Sequence, residues 1–237
     1  MYYKRFLFVS VCLLFLTACN KDEICKKGKG AVEKREIPLS PFIAIELEGS
    51  GHVFVTEAEV QKVEVETNGN LFERLNTNVE NGLWKVNFRH CVRKYTAFNV
   101  YITVPSLSSV KLSGSGSISG TNTLNSSSLN VGVSGSGKIT LALNASAVNC
   151  VISGSGNITL TGKADSQTID VSGSGTVHNF NLETGSASVK ISGSGNSYVH
   201  TITTLNAAIS GNGNVYYIGS PQISSSISGS GNIKNSN

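Results

Sequence analysis

Few residues in this chain could do acid–base chemistry, and they are unevenly placed. After residue 105 the only acids are Asp165, Asp170 and Glu183, and the last arginine is Arg93. Glycan cleavage needs two carboxyls, or a base beside a cationic charge stabiliser. The one place with the raw material lies earlier, where Glu46 and Glu48 alternate on a strand-like segment and so share a face, with His52 close behind. A glycan-active lyase or hydrolase built on Glu46, Glu48 and His52 is therefore the enzymatic alternative. A solvated face is the plainer account of the same residues. Asp170 and His178 flank one glycine-rich tetrad, and His200 follows a repeat later with no recurring partner. Calcium-binding glycine-rich turns need a repeated Asp after the glycines, and here that place holds Ser, Lys, Asn or Thr. No helix or P-loop lysine follows the glycines to hold phosphate. No catalytic residue, metal site or cofactor is assigned, and the ligand-binding residues stay open.

The five cysteines carry different chemistry. Met1 to Arg5 is a short basic segment, and Phe6 to Leu16 is an apolar run too short to span a bilayer. Leu16–Thr17–Ala18–Cys19 then resembles a bacterial lipobox. That resemblance implies cleavage of a signal peptide at 1–18 and lipidation of Cys19, and Cys12 leaves with the leader. Several acyl chains hold a protein at a membrane far better than one. Lys21–Asp22–Glu23 looks like a lipoprotein export signal of Bacteroidetes, which implies the outer membrane and its cell-surface face, the periplasmic face being the alternative. Residues 19–30 read as the tether. Cys150 falls on an alternating apolar position and reads as a small buried hydrophobe. Cys25 and Cys91 lie in basic, poorly apolar segments of an exported chain, where disulfides form. A bridge between them would pin the tether to the domain. A His90–Cys91 metal or thiol site is the rival, although one His and one Cys make at best half a zinc site.

Composition narrows the partners. The 237 residues are 39% hydrophobic and 14% charged, with a net charge of +4. That is too little charge for a nucleic-acid binder. No apolar run reaches the length of a membrane-spanning helix, so the membrane is met through lipid.

The elements that must position any site are repeats. Ser113–Gly114–Ser115–Gly116 recurs from Ser134, Ser153, Ser172, Ser192, Ser210 and Ser228, at spacings of 21, 19, 19, 20, 18 and 18 residues. An apolar residue precedes each tetrad, from Leu112 to Ile227, and another follows it in most repeats, from Ile118 to Ile233. Polar residues lie between these columns, the period-two mark of half-buried strands. A weaker column five residues before the tetrad (Leu129, Val148, Ala187, Leu205, Ile223) suggests a third short strand. Repeats of this length without a helical stretch predict an all-β fold, a parallel β-helix or solenoid, right-handed by the usual crossover rule. The solenoid spans 106–237, with coils stacked at about 4.8 Å. An up-and-down antiparallel sheet is the rival. Both tetrad glycines are expected to take positive φ, and Asn157, Asn196, Asn214 and Asn232 to form a ladder along the coils.

Residues 31–105 carry the same template once, at Ile45 to Val55, and otherwise read as an all-β portion that caps or begins the solenoid. Asn81–Gly82 reads as a hairpin turn, and Leu71 to Leu75 as one helical turn. The C-terminal Lys234–Asn235–Ser236–Asn237 offers little cap, leaving room for an end-on partner or a homo-oligomer.

Several segments together resemble a known family. They are Phe42–Ile43–Ala44–Ile45–Glu46–Leu47, Val53–Phe54–Val55–Thr56, Val63–Glu64–Val65–Glu66 and Asn99–Val100–Tyr101–Ile102–Thr103–Val104–Pro105, followed by the Ser-Gly-Ser-Gly repeats. The chain resembles the auto-transporter adhesin, head GIN domain family of Bacteroidetes lipoproteins over residues 31 to 233. The resemblance implies a β-helical fold and brings no catalytic residues. Family members often place one Cys near the mature N-terminus and one before the Val-Tyr-Ile-Thr-Val-Pro segment, places matched by Cys25 and Cys91. The expected function is a non-catalytic, adhesin-like binding or scaffold module for a glycan or for a host or neighbouring-cell protein. Exposed Tyr198 and Tyr216 are candidates for stacking on sugars, and Tyr217, alternating with Val215, is a candidate for burial.

Overall fold

The computed structural model describes residues 25–237, so the leader, Cys19 and the Lys21–Asp22–Glu23 signal lie outside the described residues. The strands are β1 (Val32–Glu36), β2 (Ala44–Gly49), β3 (His52–Glu57), β4 (Lys62–Asn68), β5 (Val79–Glu80), β6 (Leu83–Val86), β7 (Phe98–Val104) and β8 (Ser109–Gly114). They continue as β9 (Ser117–Gly135), β10 (Lys138–Gly154), β11 (Asn157–Gly173), β12 (Thr176–Gly193), β13 (Asn196–Gly211), β14 (Asn214–Ile218), β15 (Gln222–Gly229) and β16 (Asn232–Asn235). All sixteen belong to one sheet.

The repeat half is a parallel β-solenoid. Ile118, Ile139, Ile158, Val177, Ser197, Val215 and Ile233 pair in register from coil to coil. Leu112, Val133, Ile152, Val171, Ile191, Ile209 and Ile227 do the same before the corner. Alternation puts both columns inside, and all but the last coil's members are buried. The third short strand is not a separate element. In β9 to β13 the chain stays strand-paired from one tetrad to the next, for 16 to 19 residues in each strand. It bends at register shifts such as that between Thr159 and Gly162 instead of breaking. A bulge bends a strand at the cost of one unpaired residue, so the ladder survives the bend.

The tetrads make the sharp corners. The first glycine of each takes φ between 125° and 147°, as in Gly154 at 140°. The second does not, which corrects the expectation for both. Its reason is close approach: a Cβ on Gly156 would stand 2.4 Å from Val133 Cγ1 and 2.7 Å from the Gly137 carbonyl. The amides of Ser174 and Gly175 converge on the Gly154 carbonyl one coil below, at 2.9 and 3.0 Å. The asparagine ladder shrinks to one rung, Asn214 Nδ2 donating to Asn196 Oδ1 at 3.2 Å: Thr176 stands between Asn157 and Asn196 in that column, and Asn232, although beside Asn214, donates to the Ser230 carbonyl instead.

The Ile45–Val55 template is a true coil. β2 and β3 pair in parallel with β8 and β9, setting Ile45 beside Val110 and Val53 beside Ile118. On its other side lie β6 and β7, also parallel. A coil made by residues 83–104 thus sits beneath one that precedes it in the chain. Beyond it β4 runs antiparallel to β7, and β1 antiparallel to β4. Asn81 and Gly82, both at positive φ, form the two-residue hairpin between β5 and β6, and a 3-10 turn spans Gly69–Arg74. Trp84 is fully buried under this cap, its indole N–H donating to the Asn76 carbonyl at 2.9 Å. Cys25 and Cys91 are joined by a disulfide.

Polar groups interrupt the core where the register shifts. Gln167 takes the inward place between Val148 and Ala187. It accepts from Asn179 Nδ2 at 3.0 Å and donates to Thr184 Oγ1 at 3.1 Å. Asn179 Oδ1 in turn accepts from the Leu160 amide, and Thr184 donates to the His200 carbonyl. All three side chains are buried, so each bond avoids an unpaired polar group costing about 1–3 kcal/mol.

Cys150 lies in the same interior, within 3.9 Å of Asn179 Nδ2. Burial pushes its thiol up to about 12, the Asn179 contact opposing slightly. A group whose folded pKa is raised stabilises the fold fully below its unfolded value, near 9 here, and that stability is lost as pH rises toward 12. The folded chain at pH 8 is expected to leave Cys150 unmodified by iodoacetamide, with labelling only at the rate of global unfolding. Peptide mapping that finds rapid native-state labelling at Cys150 would refute its burial.

Candidate functional site

The solenoid's outward residues before each corner form a long side face. Its outer columns are short and polar. Ser113, Ser134, Ser153 and Ser172 stack on one side, and Ser109, Asn130, Asn149 and Thr168 on the other. The central column, two residues before each tetrad, runs Glu46, Lys111, Gly132, Val151, Asp170, Lys190, Ala208, Ser226. Where that column reaches Gly132 there is no side chain, and the face sinks into a trough of about 420 Å³. Val151, 42% exposed, gives it an apolar patch. Glu46 stands at one end, accepting from Ser113 Oγ at 2.7 Å. The Asn149 amide donates to Asn130 Oδ1 at 3.3 Å. The trough thus offers hydroxyls, amides, one carboxylate and the Lys111 ammonium around a small apolar floor.

A second depression lies at the first corner, lined by Glu48, Ser50, His90, Lys94 and Tyr95 among others. Glu48 is engaged there, accepting from Asn87 Nδ2 at 2.6 Å and pairing with Lys85 at 3.3 Å. That carboxylate holds the Lys85 ammonium protonated more firmly than usual, first through the hydrogen bond and then through its charge. Ser50 Oγ and Tyr95 OH lie 2.6 Å apart.

Glu46 and Glu48 stay on one outward face of β2 with Lys85 beside both, but His52 is carried away from them. Glu46 lines one depression and Glu48 the other. His52 follows the Gly49–Ser50–Gly51 corner on β3, with Nδ1 2.8 Å from Ser117 Oγ. The corner turns the chain onto the next face, so strand spacing alone misleads. Asp170 and His178 are likewise split by a tetrad: Asp170 lies beside Lys190, whereas His178 stacks on Tyr198. Burial, then the Lys138 charge, lowers the pKa of His178. Among the described residues no group of three or more His, Cys, Asp or Glu converges as a metal site.

The tyrosines are engaged with one another. His178 stacks on Tyr198 at 5.0 Å and Tyr198 on Tyr216 at 4.7 Å, nearly parallel, one ring per coil. Lys234 lies over Tyr216. A sugar needs a ring face, and these faces are covered by their neighbours, so the expected stacking platform is absent. Tyr217 is half-buried against the core. Sequence reasoning missed the trough at Gly132. Its signal was the polar column two residues before the tetrad, where glycine interrupts charged and bulky residues.

The fold and face define an all-β parallel solenoid with a polar, shallow-troughed side. The chain belongs to the family described as "Putative auto-transporter adhesin, head GIN domain", whose model matches residues 41–221. A Bacteroides fragilis structure described as a "putative adhesin" is similar at TM-score 0.81 and 22% identity, covering 89% of this chain and 99% of its own. A Parabacteroides distasonis structure described as a "Putative lipid binding protein" reaches TM-score 0.74 and 26% identity, covering 90% and 99%. A "putative adhesin" from Parabacteroides merdae gives 0.74 and 23%, with the same coverage. No curated protein matches the chain.

Proposed function

We propose that this chain is a non-catalytic, adhesin-like lipoprotein of the cell envelope. It is anchored through Cys19 at the outer membrane, on the cell surface, and binds a glycan or the chain of a partner protein along the solenoid's side face. The observation that carries the binding reading is the trough over Gly132. Its walls are hydroxyl and amide columns, its floor is the partly exposed Val151, and it has one carboxylate and one ammonium at one end. Such a surface suits a neutral, polyhydroxylated or amide-rich chain, which needs many directional hydrogen bonds and little charge. Glu46 and Glu48 share one face but line different depressions, Glu48 is already engaged by Lys85 and Asn87, and His52 lies around the corner, which leaves acid–base cleavage without an assembled pair.

The test uses a glycan and extracellular-matrix array, with the chain from Asn20 onward and its Gly132→Gln variant. Gly132 has room for a side chain, Lys111 Cγ lying 3.5 Å from where a Cβ would stand, so Gln fills the trough at a cost within about 0.5 kcal/mol, as for an ordinary surface change. The wild type is expected to show saturable binding without product release, and the variant at least about tenfold weaker binding, or about 1.4 kcal/mol. Equal binding by the two would remove the trough from the account, and released reducing sugar would restore the enzyme.

A further inference from the structure

The two ends of the solenoid are finished differently. At the N-terminal end the outermost strand, β1, carries Glu33, Lys34, Arg35 and Glu36, all exposed. Charged edges of this kind keep other strands from adding on. At the other end lie β15 and β16. Among the described residues β15 pairs only with β13, and every one of its residues is exposed. Ile223 and Ile227 continue the inward columns of Leu205 and Ile209. Those two are 0% and 2% exposed, whereas Ile223 and Ile227 are 43% and 45% exposed, because none of the described residues is stacked on them. β15 carries no charge and no proline, so it lacks the usual devices that blunt an edge.

The strand also reads the same in both directions. Ile223–Ser224–Ser225–Ser226–Ile227 is symmetric about Ser225. A two-fold interface requires such self-complementarity, since residue i must meet j while j meets i. An antiparallel pairing centred on Ser225 sets Ile223 against the partner's Ile227, and Ile227 against the partner's Ile223, continuing both cores across the junction. Head-to-tail stacking would instead set this open end against the N-terminal cap, whose edge strand β1 would have its charges buried at the junction.

We propose that this chain pairs end to end with a second copy through antiparallel β15 strands. The pairing closes at two molecules. It sends the two N-terminal caps to opposite ends, so copies tethered at their N-termini meet head-on, across a gap between surfaces. The pairing itself does not depend on what the side face binds.

Sedimentation equilibrium of the chain from Asn20 onward is the test, run beside Ile227→Lys and Ser225→Cys. The wild type is expected to be a monomer–dimer equilibrium, and Ile227→Lys a monomer with an unchanged circular dichroism spectrum. Opposed residues in an antiparallel pair lie about 4.5–5.5 Å apart between Cα atoms, within disulfide reach. Ser225→Cys is therefore expected to oxidise to a covalent dimer. Because that variant leaves the last coil's isoleucines in place, it decides the matter even if Ile227→Lys fails to fold. A wild type that stays monomeric at its highest soluble concentration overturns the proposal. So does a dimer that resists Ile227→Lys and forms no covalent cross-link in the Ser225→Cys variant, or growth into open-ended polymers.

Discussion

Gly154→Ala is expected to lower the stability of the chain by about 2–6 kcal/mol, a large share of the roughly 5–15 kcal/mol that holds a typical domain together. Two costs combine. Gly154 sits at φ +140°, a conformation that costs an L-residue about 1–3 kcal/mol. A Cβ there would also stand 2.6 Å from the Gly135 carbonyl oxygen of the coil below. That carbonyl cannot retreat, because it accepts the Ser155 amide at 2.9 Å, so the overlap adds about 1–3 kcal/mol. Two other glycines separate these terms. Gly49 has φ +111° with nothing within 4 Å of its Cβ position, so Gly49→Ala is expected to cost only the conformational part, about 1–3 kcal/mol. Gly132→Ala meets neither penalty and should be neutral or stabilising by up to about 1 kcal/mol, since alanine suits a strand interior better than glycine. Urea unfolding of the three variants reads the order directly. If Gly154→Ala costs no more than Gly49→Ala, close stacking of coils is not what demands glycine at the corners.

Replacing Cys25 and Cys91 together by serine is expected to cost about 2–4 kcal/mol, with the loss confined to one end. The bridge spans 66 residues of sequence, for which loop entropy alone gives roughly 4 kcal/mol. The lower part of the range allows for contacts that restrain the segment without the bridge. The Lys26 amide donates to the Cys91 carbonyl at 3.0 Å, Arg93 N to the Lys26 carbonyl at 2.8 Å, and Gly28 N to the Lys94 carbonyl at 2.8 Å. Coils in a solenoid contact only their neighbours. Hydrogen exchange in the variant should therefore speed up across 25–36 and 87–97 and change little in β10 to β13. Equal loss of protection along the whole solenoid would show instead that the bridge sets global stability.

Much of the fold was legible because its signals are local and repeated. Positive-φ turns demand glycine at each corner, and period-two alternation marks which side chains face in. Seven copies fixed the coil length. The Asn81–Gly82 hairpin and the turn near Leu71 were legible for the same reason, since each depends on a few adjacent residues. The stacking order was not. Nothing in residues 83–104 announces that they lie under 44–57, because strand alternation is satisfied equally by any partner, and only the burial of Trp84 and Val86 against Ile45 and Leu47 selects this one. Nor was the inward place of Gln167 legible, because its amide is satisfied only by Asn179 and Thr184 of the next coil.

The candidate site divides in the same way. The sequence by itself determined a repeated β chain, poor in acids, whose corners are structural and whose acid–base residues are few. Only the tertiary structure decided that Glu46 and Glu48 line different depressions, that His52 lies around a corner, and that the tyrosine faces cover one another. It also decided where the side face sinks, because a trough is made by what neighbouring coils place around Gly132, and that neighbourhood is assembled from residues about twenty positions apart in the chain.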